Sequence, residues 1–420
     1  MTAFDRQTLD AIASRQPRWR SDQMAEAHAS FEGQSVPTGA EEQWRYVEVD
    51  VDFERFVPAL EPGDTMGDGP FLSSALPDAA GRVTIVDGAV VDITEDVGPA
   101  RVNRVADLER LTPAAQLDRD KFAAAHLAYA TDGIRIDVPD RVVMDRPIVV
   151  DVQATQEGVM SFPHLEVAVG SEAEALVIVV YRSPDGLEAV SVPGVTLEAD
   201  DGGRLRYLSV QGWGDATTGM VHQRMRLGRD ATGRVGDVGL GGRLGRLDLD
   251  VELDGAGSSS EVVGLYFGEG DQTLDYRMLI THRGRNTSSD VFLKGAVEDR
   301  AQSVFTGLLR IEKDATRSSA FETNRNLVLS EDAKAHSVPN LEILCDDVVC
   351  GHGSSVGPLE ENHLYYLQSR GLPRIRAERM LIRGFFTEVI DRLPITTVAE
   401  PVSRAVFGRF VKAQEEGRLS

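Results

Sequence analysis

Ile134-Arg135-Ile136-Asp137-Val138 and, after a short polar break, Arg146-Pro147-Ile148-Val149-Val150-Asp151-Val152 open a stretch that continues in the same style to about Asp346. Short apolar β runs are closed by polar turns, and helix signals are absent for about two hundred residues. Within the stretch a phrase returns: an apolar strand, one or two charged or glycine residues, then a small residue at a turn. Its small anchor falls on Ala173, Gly203, Ala231, Ala256, Gly284 and Ala315, at intervals of 30, 28, 25, 28 and 31 residues. A repeat of this length predicts stacked units, each burying against its neighbours an apolar face that it cannot bury alone. The expected class is mainly β, a parallel β-helix (β-solenoid) between helical end regions. A propeller would need longer units of four strands; a large β-sandwich with accidental regularity is the plainer competitor.

The flanks read differently. Leu9, Ile12 and Ala13 recur at helix spacing, Pro17 interrupts, and Met24, Ala27 and Phe31 continue the stripe. Residues 60–80 are rich in Gly, Pro, Asp and Ser and predict a surface loop. Gly81 to Gly88 reads as strand and turn, and residues 113–130 as a helix with Leu117, Phe122 and His126 in its apolar neighbourhood. After Pro358 helices return: Glu360 to Arg370, stopped by Gly371; then Pro373 through Ala377, Leu381, Phe385 and Val389 to a stop before Pro394; then Val398 to Glu416. Three regions are expected, 1–132, 133–357 and 358–420.

The chain has 420 residues, 42% of them hydrophobic, enough to bury a real core and to exclude global disorder. With 67 acidic against 44 basic side chains the net charge is −23, which repels nucleic-acid phosphates. Arg outnumbers Lys 39 to 5. A negative, Lys-poor surface suits a saline cytoplasm, where the screening length falls to roughly 3 Å at 1 M salt. Solubility and refolding should then improve as KCl is raised from the order of 0.1 M to the order of 3 M; indifference to salt would dismiss this halophilic reading. Cys345 and Cys350 are the two cysteines, so no disulfide framework is expected and the compartment reads as reducing. The first residues lack the basic and apolar runs of a signal peptide, and the longest apolar run, Ala175 to Tyr181, is too short to span a bilayer. A cytoplasmic protein with no membrane segment is the expectation.

The densest chemistry lies in Leu341-Glu342-Ile343-Leu344-Cys345-Asp346-Asp347-Val348-Val349-Cys350-Gly351-His352-Gly353. Two thiols and an imidazole beside two carboxylates make a partial site for iron or zinc, short of a full ligand set. By period-2 counting Cys345 extends the strand Leu341 to Leu344 and reads as structural. Cys350 and His352 fall beyond that strand, between permissive glycines, and read as exposed ligands.

Cys350-Gly351-His352-Gly353-Ser354-Ser355-Val356-Gly357, then Leu364 to Gly371 and Ala377 to Val389, resembles the C-terminal signature of the SufB/SufD family, scaffold components of the SUF iron–sulfur cluster assembly system. Pro37 with Glu42-Gln43-Trp44-Arg45-Tyr46, Phe122 with Tyr129 to Gly133, Asn324 to Ser330, and Pro339 to Ile343 extend the likeness over nearly the whole chain. The Cys-x-His-Gly turn, the Trp motif and the chain length resemble the SufD branch. The resemblance implies a right-handed parallel β-helix, partnership with SufB and the ABC-type ATPase SufC, and a nascent cluster passed to recipient apoproteins. It places the family's interface histidine on His352 and its neighbouring cysteine on Cys350, with iron or a transient cluster shared with SufB. No role carries over to Cys345. Gly351 departs from the commoner Ser or Thr, which leaves both side chains in place. The resemblance also makes the helical stripe of Met380, Leu381, Phe385, Phe386 and Val389 a docking surface for SufC; the plainer reading is a cap on the solenoid.

His126, His164, His222, His282 and His336 are scattered and read as ordinary core or surface residues. No phosphate-binding loop is present, so ATP is expected to bind a partner. A free-standing β-helix enzyme acting on acidic polysaccharide is the competing function, and it would call for an export signal and an aromatic groove, whereas aromatics are only 6%.

Overall fold

The computed structural model describes residues 3–69, 78–94 and 96–415. Residues 70–77 of the expected surface loop, and Glu416 of the expected last helix, lie outside the described residues.

The strand-and-turn stretch forms a parallel β-solenoid of about 8 turns. Each coil gives one strand to each of two facing sheets. One sheet steps through Ile134–Val138, His164–Val169, Gly194–Ala199, Thr218–Leu227, Leu244–Leu253, Thr273–His282 and Gln302–Ile311 to Lys334–Ile343. The other steps through Gly81–Val86, Ile148–Gln153, Glu174–Arg182, Arg204–Gly212, Thr232–Gly239, Ser259–Gly268, Ser288–Val297 and Ser318–Val328 to Val348–Gly357. Within this second sheet parallel pairing starts at Gly81, well before the expected boundary at residue 133.

The register locates the true repeat. Glu174, Arg204, Thr232, Ser259, Ser288 and Ser319 stand in line, so successive coils advance by 30, 28, 27, 29 and 31 residues. Ala173, Gly203 and Ala231 are equivalent positions, but Ala256, Gly284 and Ala315 lie two or three residues ahead of theirs. The feature that recurs in every coil is conformational. Arg141, Glu172, Gly202, Asp230, Gly257, Asn286 and Arg317 all adopt positive φ, between 55° and 76°. Each donates its backbone N–H to the next coil, as from Glu172 to Asp201 O (3.0 Å), Gly202 to Arg229 O (2.8 Å) and Asp230 to Ala256 O (2.9 Å). Only two of the seven are glycine, so the corner has no residue signature.

Other elements pack on part of each outer face of the solenoid, so a strand beneath them such as Glu174–Arg182 reads as an apolar run, whereas Ile134–Val138 and Ser318–Val328 alternate. In Glu174–Arg182, Ala175, Val177, Val179 and Tyr181 face the lumen, while Ile178 and Val180 face a separate apolar cluster outside. That outer cluster is completed by C-terminal helices. At the other face, helices α1 (Arg6–Ala13), α2 (Arg18–Gly33) and α3 (Lys121–Tyr129) pack Leu9, Ile12, Met24, Ala27, Phe31, Phe122 and Tyr129 onto Met160, Phe162, Val190 and Met220. The expected helix over 113–130 is shorter than its apolar pattern: Asp120 accepts the Ala123 N–H (2.8 Å) and starts it at Lys121.

The Glu42-to-Tyr46 motif is strapped to this face by buried arginines. Arg246 lies 3.7 Å over the Trp44 ring and donates to Gln43 O (3.1 Å), and Arg277 donates to Glu42 O (3.1 Å) and Arg45 O (3.2 Å). The C-terminal helices are α4 (Glu361–Ser369), α5 (Arg374–Ile390) and α6 (Ala399–Glu415). Buried Lys294 donates to Phe385 O (2.8 Å) and Glu388 Oε2 (2.5 Å), pinning α5 to the strand Ser288–Val297. No helix of the described residues is long and apolar enough to cross a membrane.

Candidate functional site at the open end of the solenoid

Cys350 and His352 do not lie in a loop. The expectation of a turn around Gly351 and Gly353 is corrected by the last strand, Val348–Gly357, which runs straight through both glycines. Glycine weakens a strand, but here a complete parallel ladder with Ser318–Val328 supplies the order that propensity lacks. Cys345 also moves: the preceding strand ends at Ile343, and Cys345 sits just after it, buried in the lumen core.

The ladder fixes which side chains share a face. Ala320 stands opposite Cys350, Glu322 opposite His352, Asn324 opposite Ser354 and Asn326 opposite Val356. Ala320, Glu322, Asn324 and Asn326 are the buried, lumen-facing positions of their strand, so the period-2 pleat puts Cys350, His352, Ser354 and Val356 on the lumen side of the terminal strand. Cys350 is half-buried against the core and His352 is exposed. Nothing in the described residues pairs with the outer edge of this strand, and Leu341, Leu344, Val349 and Val356 are exposed around it. The solenoid is therefore closed along its flanks and open at this end.

Behind the edge the lumen turns polar. Asn326 donates to Asn324 Oδ1 (2.6 Å), and Tyr266 donates its hydroxyl to Asn326 Oδ1 (2.5 Å). The Tyr266 ring stacks on Tyr276 at 4.8 Å, and the Tyr276 hydroxyl donates to Asp237 Oδ1 (2.8 Å). Ser209 and Gln211 also donate to Asp237, and burial pushes its carboxyl up to about 6. Nearest the edge, Glu322 is 2% exposed, neither carboxyl oxygen has a hydrogen-bond partner, and burial pushes it up to about 8. Its carboxyl lies over Gly307, where an added Cβ would meet Oε2 at 2.0 Å. Sequence reading misses Glu322. The available signal is the alternation in Ala320-Phe321-Glu322-Thr323-Asn324-Arg325-Asn326, which puts three polar groups on the face where a solenoid interior should be apolar.

The scattered histidines have ordinary partners. His282 bonds Thr287 (2.7 Å) and Ser289 (2.8 Å), His164 contacts Glu166 (3.2 Å), and His336 stacks on Tyr46 at 4.4 Å. His222 meets Asp120 (3.4 Å) close to Asp248, bringing three ligand-type residues together. Asp248 is already neutralised there by Arg119 (3.1 Å) and Arg246 (3.3 Å), so the group reads as an ion network locking α3 to the solenoid. Carboxylates along the flank are likewise paired from coil to coil, as Asp201 with Arg229 and Asp271 with Arg300.

The expected docking stripe on α5 divides. Phe386 and Val389 are buried against the solenoid, because the covering face runs through Ala377, Ile382, Phe386 and Val389 and takes in only part of the counted stripe. Leu381 and Phe385 are half-buried and Met380 is exposed, as are Tyr365, Tyr366 and Ile375 on the same helical pair.

Residues 152–385 match the family described as "SUF system FeS cluster assembly, SufBD core domain", a span that covers more than half of the chain. The chain belongs to the SufBD family. A SufBD family iron–sulfur cluster assembly protein of Mycobacterium tuberculosis is 34% identical over 295 residues, covering 68% of this chain and 73% of the relative. One of Mycobacterium leprae is 30% identical over 379 residues, covering 88% and 90%. The iron–sulfur cluster assembly protein SufD of Escherichia coli is 25% identical over 370 residues, covering 85% of each. The SufBD match runs from within the solenoid into α5, and so takes in both the open end and the helix that grips the flank.

Proposed function

We propose that this chain is a SufD-type scaffold subunit, without catalytic activity of its own, that joins a SufB-like paralogue and a SufC-like ABC ATPase in building nascent iron–sulfur clusters for recipient apoproteins in a reducing cytoplasm. One observation carries the reading: Cys350 and His352 share the lumen side of a terminal strand whose outer edge has no partner among the described residues. A thiol and an imidazole are half of a ligand set for iron. A second solenoid end, laid against this edge, would cover the exposed Leu341, Leu344, Val349 and Val356 and bring the missing ligands. Iron and sulfide are cargo at such an edge. The ATPase reading rests on the α4–α5 surface with Tyr365, Tyr366, Ile375 and Met380, exposed apolar groups on a helix pair seated on the solenoid. Relatives named SufD support the branch.

His352 is exposed, so His352→Ala should leave folding intact. In the complex co-purified with a SufB-like and a SufC-like partner, iron content and reconstituted cluster should fall roughly tenfold or more, at least what loss of outer-shell support costs. Unchanged cluster and iron would remove His352 from the site.

A further inference from the structure

Glu322 is the one lumen carboxyl for which the chain supplies neither a donor nor a cation among the described residues. Asp237, three coils inward, is equally buried, but its oxygens are taken by Ser209, Gln211 and Tyr276. Burying an unsatisfied carboxyl costs several kcal/mol, and such a group in a native lumen calls for a reason. No basic residue lowers its proton affinity; burial alone acts on it. Its place is also special. Glu322 stands in register with His352 on the adjacent strand, on the same face. Neighbouring strands lie about 4.8 Å apart, so the two side chains start from adjacent points at the mouth of the lumen. Gly307 leaves the room in which the carboxyl lies.

We propose that Glu322 is a third metal-binding position of this chain, its carboxylate and the imidazole of His352 together holding a ferrous ion just inside the open end of the solenoid. The proposal rests on the reading of His352 as a cluster-edge residue. A carboxylate oxygen and an imidazole nitrogen are suitable first ligands for iron in the ferrous state, each at about 2.0–2.2 Å if zinc is the guide. Exposed His352 is free to turn inward, and a glutamate with three side-chain torsions can meet it. Cys350 lies two residues along the same face, so an ion held here would sit beside the thiol that the cluster uses. Water fills the remaining coordination positions until a partner closes the end.

The test is anaerobic titration of the full-length protein with ferrous iron alone, repeated with cobalt(II) as an absorption probe. Glu322→Gln, which keeps the shape and removes the charge, should weaken ferrous binding at least tenfold; His352→Ala should do the same, and the double variant little more. Glu322→Asp keeps the charge and shortens the reach; it should also weaken binding, and it keeps the measurement available if the Gln variant does not accumulate. Wild-type affinity in both Glu322 variants would overturn the proposal, as would weakened binding in Glu322→Gln with His352→Ala unaffected. If Glu322→Gln binds iron normally while His352→Ala still loses cluster in the assembled complex, this inference fails and the scaffold reading stands.

Discussion

Raising the pH from about 5 to about 9 should destabilise this protein, and Glu322→Gln should abolish most of the loss above about pH 6. The folded carboxyl of Glu322 is pushed up to about 8 from an ordinary 4.5. Between those values the native state holds a proton that the unfolded chain has released, so stability is greatest at low pH and is lost as pH rises towards 8. Every pH unit between the two values is worth about 1.4 kcal/mol, which puts the effect on the order of 3–5 kcal/mol. Asp237, pushed up to about 6, adds a smaller loss of the same sign that ends near pH 6. Asp120 acts in the opposite sense. Although it is buried, His222, the Ala123 N–H and Arg246 hold its carboxyl down to about 2, and its contribution is lost as pH falls through that value. Urea midpoints at about pH 5, 7 and 9, with EDTA present, follow the raised carboxyls, Asp250 and Asp275 among them, with Glu322→Gln isolating Glu322, and a further series down to about pH 2 follows the lowered ones, which include Asp120. Parallel profiles for wild type and Glu322→Gln would show that Glu322 does not titrate as its burial requires.

Gly295→Ala should cost about 3 kcal/mol, at the upper end of what overpacking does to a core. A Cβ on Gly295 would lie 1.8 Å from the Tyr266 ring. The ring cannot step aside, because it stacks on Tyr276 and its hydroxyl is bonded to Asn326. The damage should concentrate in the coils nearest the open end, with faster amide exchange in Ser318–Val328 and Val348–Gly357 than in Glu174–Arg182. Tyr266→Leu should restore part of the loss by clearing the space. An unaltered melting temperature in Gly295→Ala would mean that the stack yields more easily than its contacts indicate.

The fold is legible because its cause is repetitive. Strands such as Ile134–Val138 appear in the sequence as the structure has them, and the repeat shows through small residues that happen to neighbour the turns. Its phase drifts from the fourth coil on because the turn is defined by a backbone conformation that Arg, Glu, Asp and Asn fill as well as Gly. The site is legible only as residue types. Cys350 and His352 stand out as a pair, but glycines on either side conceal a strand, since strand order there comes from Ser318–Val328, about thirty residues upstream in the register. Glu322 stays hidden for the same reason: its meaning depends on His352, its partner in that register. On α5 the counted stripe spans more than one face of the helix, so Phe386 and Val389 serve the solenoid while Met380 stays outside.

The seat of α5 has a mechanical consequence. The helix rests on the strands Ser259–Gly268 and Ser288–Val297, and a single strand, Ser318–Val328, separates the latter from the terminal one that bears His352. The path from grip to edge is two inter-strand steps, roughly 10 Å, through a hydrogen-bonded ladder rather than a flexible tether. A pull on this helix would reach the rim of the barrel-like rod with little slack to absorb it.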